Sequence, residues 1–151
     1  MKENIENFAG AIIFNQDGEV LLAKKKEQYA YTIPWCRVVP GTPLQQCLRE
    51  KVRNLTGLST QPVFLGPSEH IHGNTHFISF DHTASIDTRR HPFNREGLDY
   101  LWARPENLLG IPLVPLTRQI LESYFLGRDM ELELSSHPRM LCIGEKTGSP
   151  A

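Results

Sequence analysis

The chain has 151 residues, 40% of them hydrophobic, and a formal net charge of −1, which suits one domain with one ordinary buried core. Near-neutral charge gives no general attraction to membranes or nucleic acid, so nucleic acid is not indicated as a partner. No apolar run approaches the roughly 18 residues of a membrane span, there is no signal-peptide pattern, and Cys36, Cys47 and Cys142 follow no zinc-binding spacing, so a soluble protein of the reducing cytoplasm is expected.

Phe8 to Phe14 and Glu19 to Lys24 are short apolar runs joined by Asn15-Gln16-Asp17-Gly18, which predicts a β-hairpin. Tyr29 to Ile33 predicts a third strand, which Pro34 should end because proline cannot continue a ladder, and a loop should follow. The best-specified helix runs from Pro43 to Thr56. Thr42 suits its N-cap, Pro43 its first position, Gln45 completes a capping box and Gly57 supplies the stop. Leu44, Cys47, Leu48, Val52 and Leu55 recur at helical spacing and mark the face that packs on the sheet.

Further strands are expected at Gln61 to Leu65, Glu69 to His72 and Thr75 to His82, with Gly73-Asn74 turning between the last two. Ile86 to Glu96 reads as an exposed loop, Leu98 to Ala103 as one more strand and Pro105 to Leu109 as a short helical turn. Leu116 to Leu126 predicts a second packed helix, ended by Gly127. Residues 1–127 then make the domain. Residues 128–151 make a C-terminal extension in which Glu131 to Leu134 alternates like an edge strand and Gly144 to Ala151 is turn-rich and flexible.

This order of elements resembles the Nudix (MutT-like) hydrolase family. Ile33-Pro34 and Pro40-Gly41 fall where that family has Leu-Pro and Pro-Gly around its box, and Val52, Gly57 and Leu58 fit the box itself. Val20 to Lys25 looks like the family's second strand, Asn94 to Trp102 like its Asn-x-Glu…Tyr-x-Trp segment, and Pro112 to Leu126 like its closing helix. The resemblance implies an α+β fold, a mixed β-sheet sandwiched between helices (α/β/α).

It also implies a box helix whose carboxylates hold magnesium, because a hard cation needs oxygen ligands. Carried over residue by residue, the box glycine is Cys36, the loop glutamate is Thr42, the Arg-Glu pair is Glu50-Lys51 and the Glu-Glu pair is Asn54-Leu55. An ammonium repels magnesium and a leucine cannot coordinate it, so the box is degenerate, and neither a metal site nor another cofactor is expected.

Other residues could carry function. Glu96 matches a position where some family members place a catalytic base, and Glu69 and Asp99 could line a cleft beside it. Lys24 and Lys25 could meet phosphate. Tyr29, Tyr31, Trp35, Phe77 and Trp102 could stack on a base, although strand aromatics are more often core. His70, His72, His76 and His82 crowd one region, but half-exposed strand histidines are more often solvated than metal-bound. The strongest ligand-binding candidates are Lys25, Tyr31, Trp35 and Glu69. The expected function is non-catalytic binding of a nucleotide-like ligand or a protein partner, with a strand-mediated homodimer through Glu131 to Leu134. The alternative is a divergent hydrolase of nucleoside diphosphate-linked substrates that uses Glu96 or the histidines with a relocated metal.

Overall fold

The computed structural model describes residues 4–87 and 97–135. In chain order the elements are β1 (Asn4–Phe14), β2 (Val20–Lys25), β3 (Trp35–Arg37), α1 (Leu44–Thr56), β4 (Val63–His72), β5 (Thr75–Ser85), β6 (Leu98–Ala103), a 3-10 turn (Pro105–Gly110) and α2 (Pro115–Ser135). Side chains alternate across a strand, and β1 is apolar both ways: Phe8 and Ile12 enter one buried cluster, and Ala9, Ala11 and Ile13 another. Strands buried on both faces sit inside a sheet. Here the order is β4-β5-β1-β2-β6, with β3 also paired to β1. The cluster of Ala9, Ala11 and Ile13 continues into Leu48 and Val52 of α1, and that of Phe8 and Ile12 into Ile120 and Leu121 of α2. The sheet is therefore mixed and lies between helices.

Along its other edge β1 is shared between two partners. It runs parallel to β5 over its whole length, but it meets β2 at Phe14 and Val20 and meets β3 from Phe8 to Gly10. Beyond the tight turn, β1 and β2 diverge, and the chain from Tyr31 to Trp35 fills the wedge. Thr32 bridges to Ala23 of β2, and the Pro34 carbonyl accepts from Ala11 N–H at 3.0 Å. The expected strand at Tyr29 to Ile33 is thus corrected to two isolated bridges, Ala23 with Thr32 and Tyr31 with Leu113. The strand lies instead on the far side of Pro34, so Trp35 sits in β3 and not in a loop. Proline lacks a donor but keeps its carbonyl, which is what β1 uses.

The helix α1 buries Leu48, Val52 and Leu55 as its spacing requires, but its start differs. Val39-Pro40-Gly41-Thr42 closes a turn, with Thr42 N–H donating to Val39 at 3.0 Å and Gly41 at φ 84°. Proline then glycine at the two central positions favours this turn. It draws Thr42 out of the helix, leaving Pro43 as N-cap with no side-chain cap bond and no capping box at Gln45. At the other end Gly57 takes the left-handed conformation, φ 75°, and donates to the Arg53 carbonyl at 2.7 Å. Replacing it with alanine places a Cβ in that conformation and should lower stability by about 1–2 kcal/mol, read as a shifted denaturation midpoint at unchanged m-value.

The segments expected as two strands, Gln61 to Leu65 and Glu69 to His72, are one strand. A bulge between Phe64 and Gly66 lets β4 continue against β5, and Gly66, at φ 148°, supplies the conformation. β4 ends the sheet and carries Pro67, whose missing N–H costs least on an edge. Ile86, read as exposed loop, is buried beneath α1, because its N–H extends the ladder to the Phe14 carbonyl.

At the other end of the chain α2 runs through Gly127 to Ser135, so Glu131 to Leu134 are helical and not an edge strand. Four alternating residues are too few to separate a period of two from one of 3.6, and Glu and Leu are both strong helix formers. The strand basis for a homodimer goes with them, and the helix crosses the boundary expected at residue 127. The expected tail at Gly144 to Ala151 lies outside the described residues.

Candidate ligand-binding cleft

Where β1 and β2 part, a cleft of about 490 Å³ opens. Its inner wall is apolar, formed by Phe8, Ile33, Phe77, Leu116 and Ile120, and the hydroxyls of Thr32 and Thr117, 2.8 Å apart, line it. Trp35 stands beside them at the mouth, edge-on to Phe8 with ring centroids 5.8 Å apart and planes at 77°. Its position in β3 fixes the ring while leaving the residue 39% exposed. Concave sites with an apolar wall and a few converging polar groups are the usual form of small-molecule sites.

The cleft is cationic. Lys24, Lys25, Arg37 and Lys51 line it, and among the described residues Glu6 is the one lining carboxylate. Two of these cations are already paired: Arg37 binds Glu6 at 2.7 Å, and Lys24 binds Asp99 at 3.0 Å while lying 5.5 Å from the centre of the Tyr31 ring. Lys25 and Lys51 have no ion pair among the described residues.

The candidates read from the sequence divide accordingly. Lys25, Trp35, Lys51 and Leu55 come together in the cleft. Tyr31 does not line it and instead packs partly buried against the core, beneath Lys24. Glu69 points away and pairs with His76 on another part of the sheet. Cys36 turns toward α1, where burial, then Cys47, pushes its thiol up to about 12. Glu50 and Asn54 are exposed on α1, with Glu50 accepting from Gln46 at 3.2 Å. Glu96 lies outside the described residues. The sequence reading missed Arg37, Thr32 and Thr117, which are placed by pairings that no local pattern announces.

No protein-family model and no curated protein matches the sequence. Solved structures do match. The MutT protein of Methanosarcina mazei Go1 is similar at 19% identity and TM-score 0.69, over 85% of this chain and 98% of that one. The ORF135 protein of E. coli is similar at 20% and 0.67, over 83% and 92%. The MutT NUDIX hydrolase of Burkholderia pseudomallei is similar at 22% and 0.64, over 80% and 98%. This chain has the Nudix fold. In a Nudix box the helix facing the cleft would hold magnesium, and the cleft-facing side chains of α1 here do not fit that ion. The side chains that α1 turns into the cleft are Lys51 and Leu55, Glu6 is taken by Arg37, and among the described residues no three His, Cys, Asp or Glu side chains converge on a metal-sized site.

The Nudix sheet also carries a polar network beneath α2 that the sequence did not reveal. Ser68 and Ser79 both donate to Asp81, at 2.7 and 2.5 Å, and Ser68 is 2.9 Å from His70, whose other ring nitrogen is 2.9 Å from Gln119. Burial raises the Asp81 carboxyl, partly offset by the two serines, and burial lowers His70, partly offset by Gln119. His82, on another part of the sheet against Phe64 and bonded to the Phe80 carbonyl, is likewise lowered by burial. His70 keeps an electrostatic contact with His72, while His76 pairs with Glu69.

The signs give a pH dependence. His70 and His82 bind protons more weakly folded than unfolded, so their contribution is complete above the unfolded value of 6.5 and is lost as pH falls through their lowered folded values. Asp81 acts oppositely in the carboxylate range, where protonation favours the folded chain. Denaturation midpoints should therefore fall between about pH 7 and about pH 5, with a shallower fall in His70→Gln. A flat or rising midpoint would contradict this assignment.

Proposed function

We propose that this chain is a non-catalytic Nudix-fold protein of the cytoplasm that binds a nucleotide-like ligand. The observation that carries the reading is the pairing of an apolar, tryptophan-edged cleft with two unspent lysines. Such a site suits a flat ring joined to phosphate: the ring stacks on Trp35 and the charge meets the ammonium groups. The cleft-facing residues of α1 supply neither a metal-holding carboxylate nor a base, which favours binding over hydrolysis.

The test is to incubate the protein with a panel of nucleoside diphosphate compounds, with magnesium or manganese, while following phosphate-bond cleavage and thermal stability. The expected result is stabilisation without turnover, about 2.7 kcal/mol at a ligand concentration 100 times Kd. Turnover abolished by Glu96→Gln would replace this reading with a divergent hydrolase. Neither turnover nor stabilisation would leave a protein partner as the ligand.

A further inference from the structure

We propose that Lys51, together with Lys25, replaces the divalent ion of the Nudix box, so that the cleft grips phosphate oxygens directly and binds its ligand without metal. This rests on the ligand-binding reading above and specifies its chemistry.

The placement comes from α1. Residues four apart share a helix face, and Lys51 and Leu55 both face the cleft. Leu55 is buried at 8% exposure, with its carbonyl bonded by the Tyr100 hydroxyl, so this stretch of helix is held against the sheet. Lys51 is half-buried beside it and lines the same cleft as Lys25 and Trp35.

Nothing among the described residues uses its charge. Among the described residues, Glu6, which lines the cleft, is bound to Arg37, and Asp99 is bound to Lys24 and Lys26. Cys36, which senses the Lys51 charge, stays a neutral thiol and offers no counterion. An ammonium with no ion pair among the described residues, lining a cleft with an apolar wall, suits phosphate, because a compact cation with three donors can meet several phosphate oxygens. Magnesium would be repelled from the same position. The already paired Arg37 and Lys24 add positive potential and keep the walls in place.

Inorganic pyrophosphate is the suitable probe, because it reports the phosphate subsite without requiring the correct base. Calorimetric titration of the full chain should show pyrophosphate binding in EDTA that added magnesium does not strengthen and that rising salt weakens by screening. Lys51→Ala should weaken it about ten- to hundredfold, the loss of one charge-assisted hydrogen bond, while Lys51→Arg retains most of it. Unchanged melting temperatures in both variants would separate lost charge from lost fold. Binding that requires magnesium, binding indifferent to Lys51, or no pyrophosphate binding in EDTA would each overturn the inference. The nucleoside diphosphate panel decides the ligand-binding reading separately: a nucleotide that binds only with magnesium would leave that reading standing while this inference falls.

Discussion

Leu48→Ala should remove about 2–5 kcal/mol of unfolding free energy, the largest single effect expected in this chain. Leu48 is fully buried where α1 meets the sheet, among Ala9, Ala11, Ile13, Leu21 and Val52. The small Ala9 and Ala11 side chains bring the helix close, and β1 beneath them is fixed on one edge by β5 and on the other by β3. A strand held from both edges cannot move up to fill a void, so the cavity should persist and the cost should fall in the upper part of that range. For a domain of this size each kcal/mol lowers the melting temperature by about 2–4 °C. Denaturant titration should show a lower midpoint at unchanged m-value. A loss below about 1 kcal/mol would mean that the site collapses, and that α1 is seated less firmly than its contacts imply.

The second large effect concerns binding. Trp35→Ala should weaken a nucleotide ligand about ten- to hundredfold, because base–aromatic stacking is worth about 1–3 kcal/mol. Stability should change much less, since Trp35 is 39% exposed and its backbone pairing with Gly10 does not need the ring. Trp35→Phe keeps an aromatic face and should recover most of the affinity. If alanine and phenylalanine variants bind a nucleotide as the parent does, the ring is not the stacking platform and the ligand lies elsewhere in the cleft.

How much of this was legible in the sequence depends on how local each cause is. The apolar stripe of α1, its glycine stop, the turn at Gly73-Asn74 and the strand at Leu98 to Ala103 are written in neighbouring residues, and all are present. Lys51 was marked only by the family resemblance, as a box position, while Leu55 also lay on the apolar stripe, and both line the cleft. What failed was decided at a distance or by competition. Thr42 was a sound N-cap until the Pro40-Gly41 turn claimed it. Trp35 to Arg37 became a strand because β1 had a vacant edge, which nothing in Pro34-Trp35-Cys36 could reveal. Thr32 and Thr117 meet across the fold, and Ser68, Asp81 and His70 meet across a hairpin. Such encounters belong to topology, and a period of two or of 3.6 does not encode them.

The open border at β4 carries its own interruption to further strand pairing. Val63, Phe64 and Leu65 present oily side chains at a sheet margin, the arrangement that elsewhere recruits a stranger's backbone into a growing stack. Immediately after them the bulge at Gly66 breaks the run of ladder bonds, and Pro67 has no hydrogen to give. An incoming segment would find its hydrogen bonding interrupted within a few residues. The margin can stay greasy without seeding fibres.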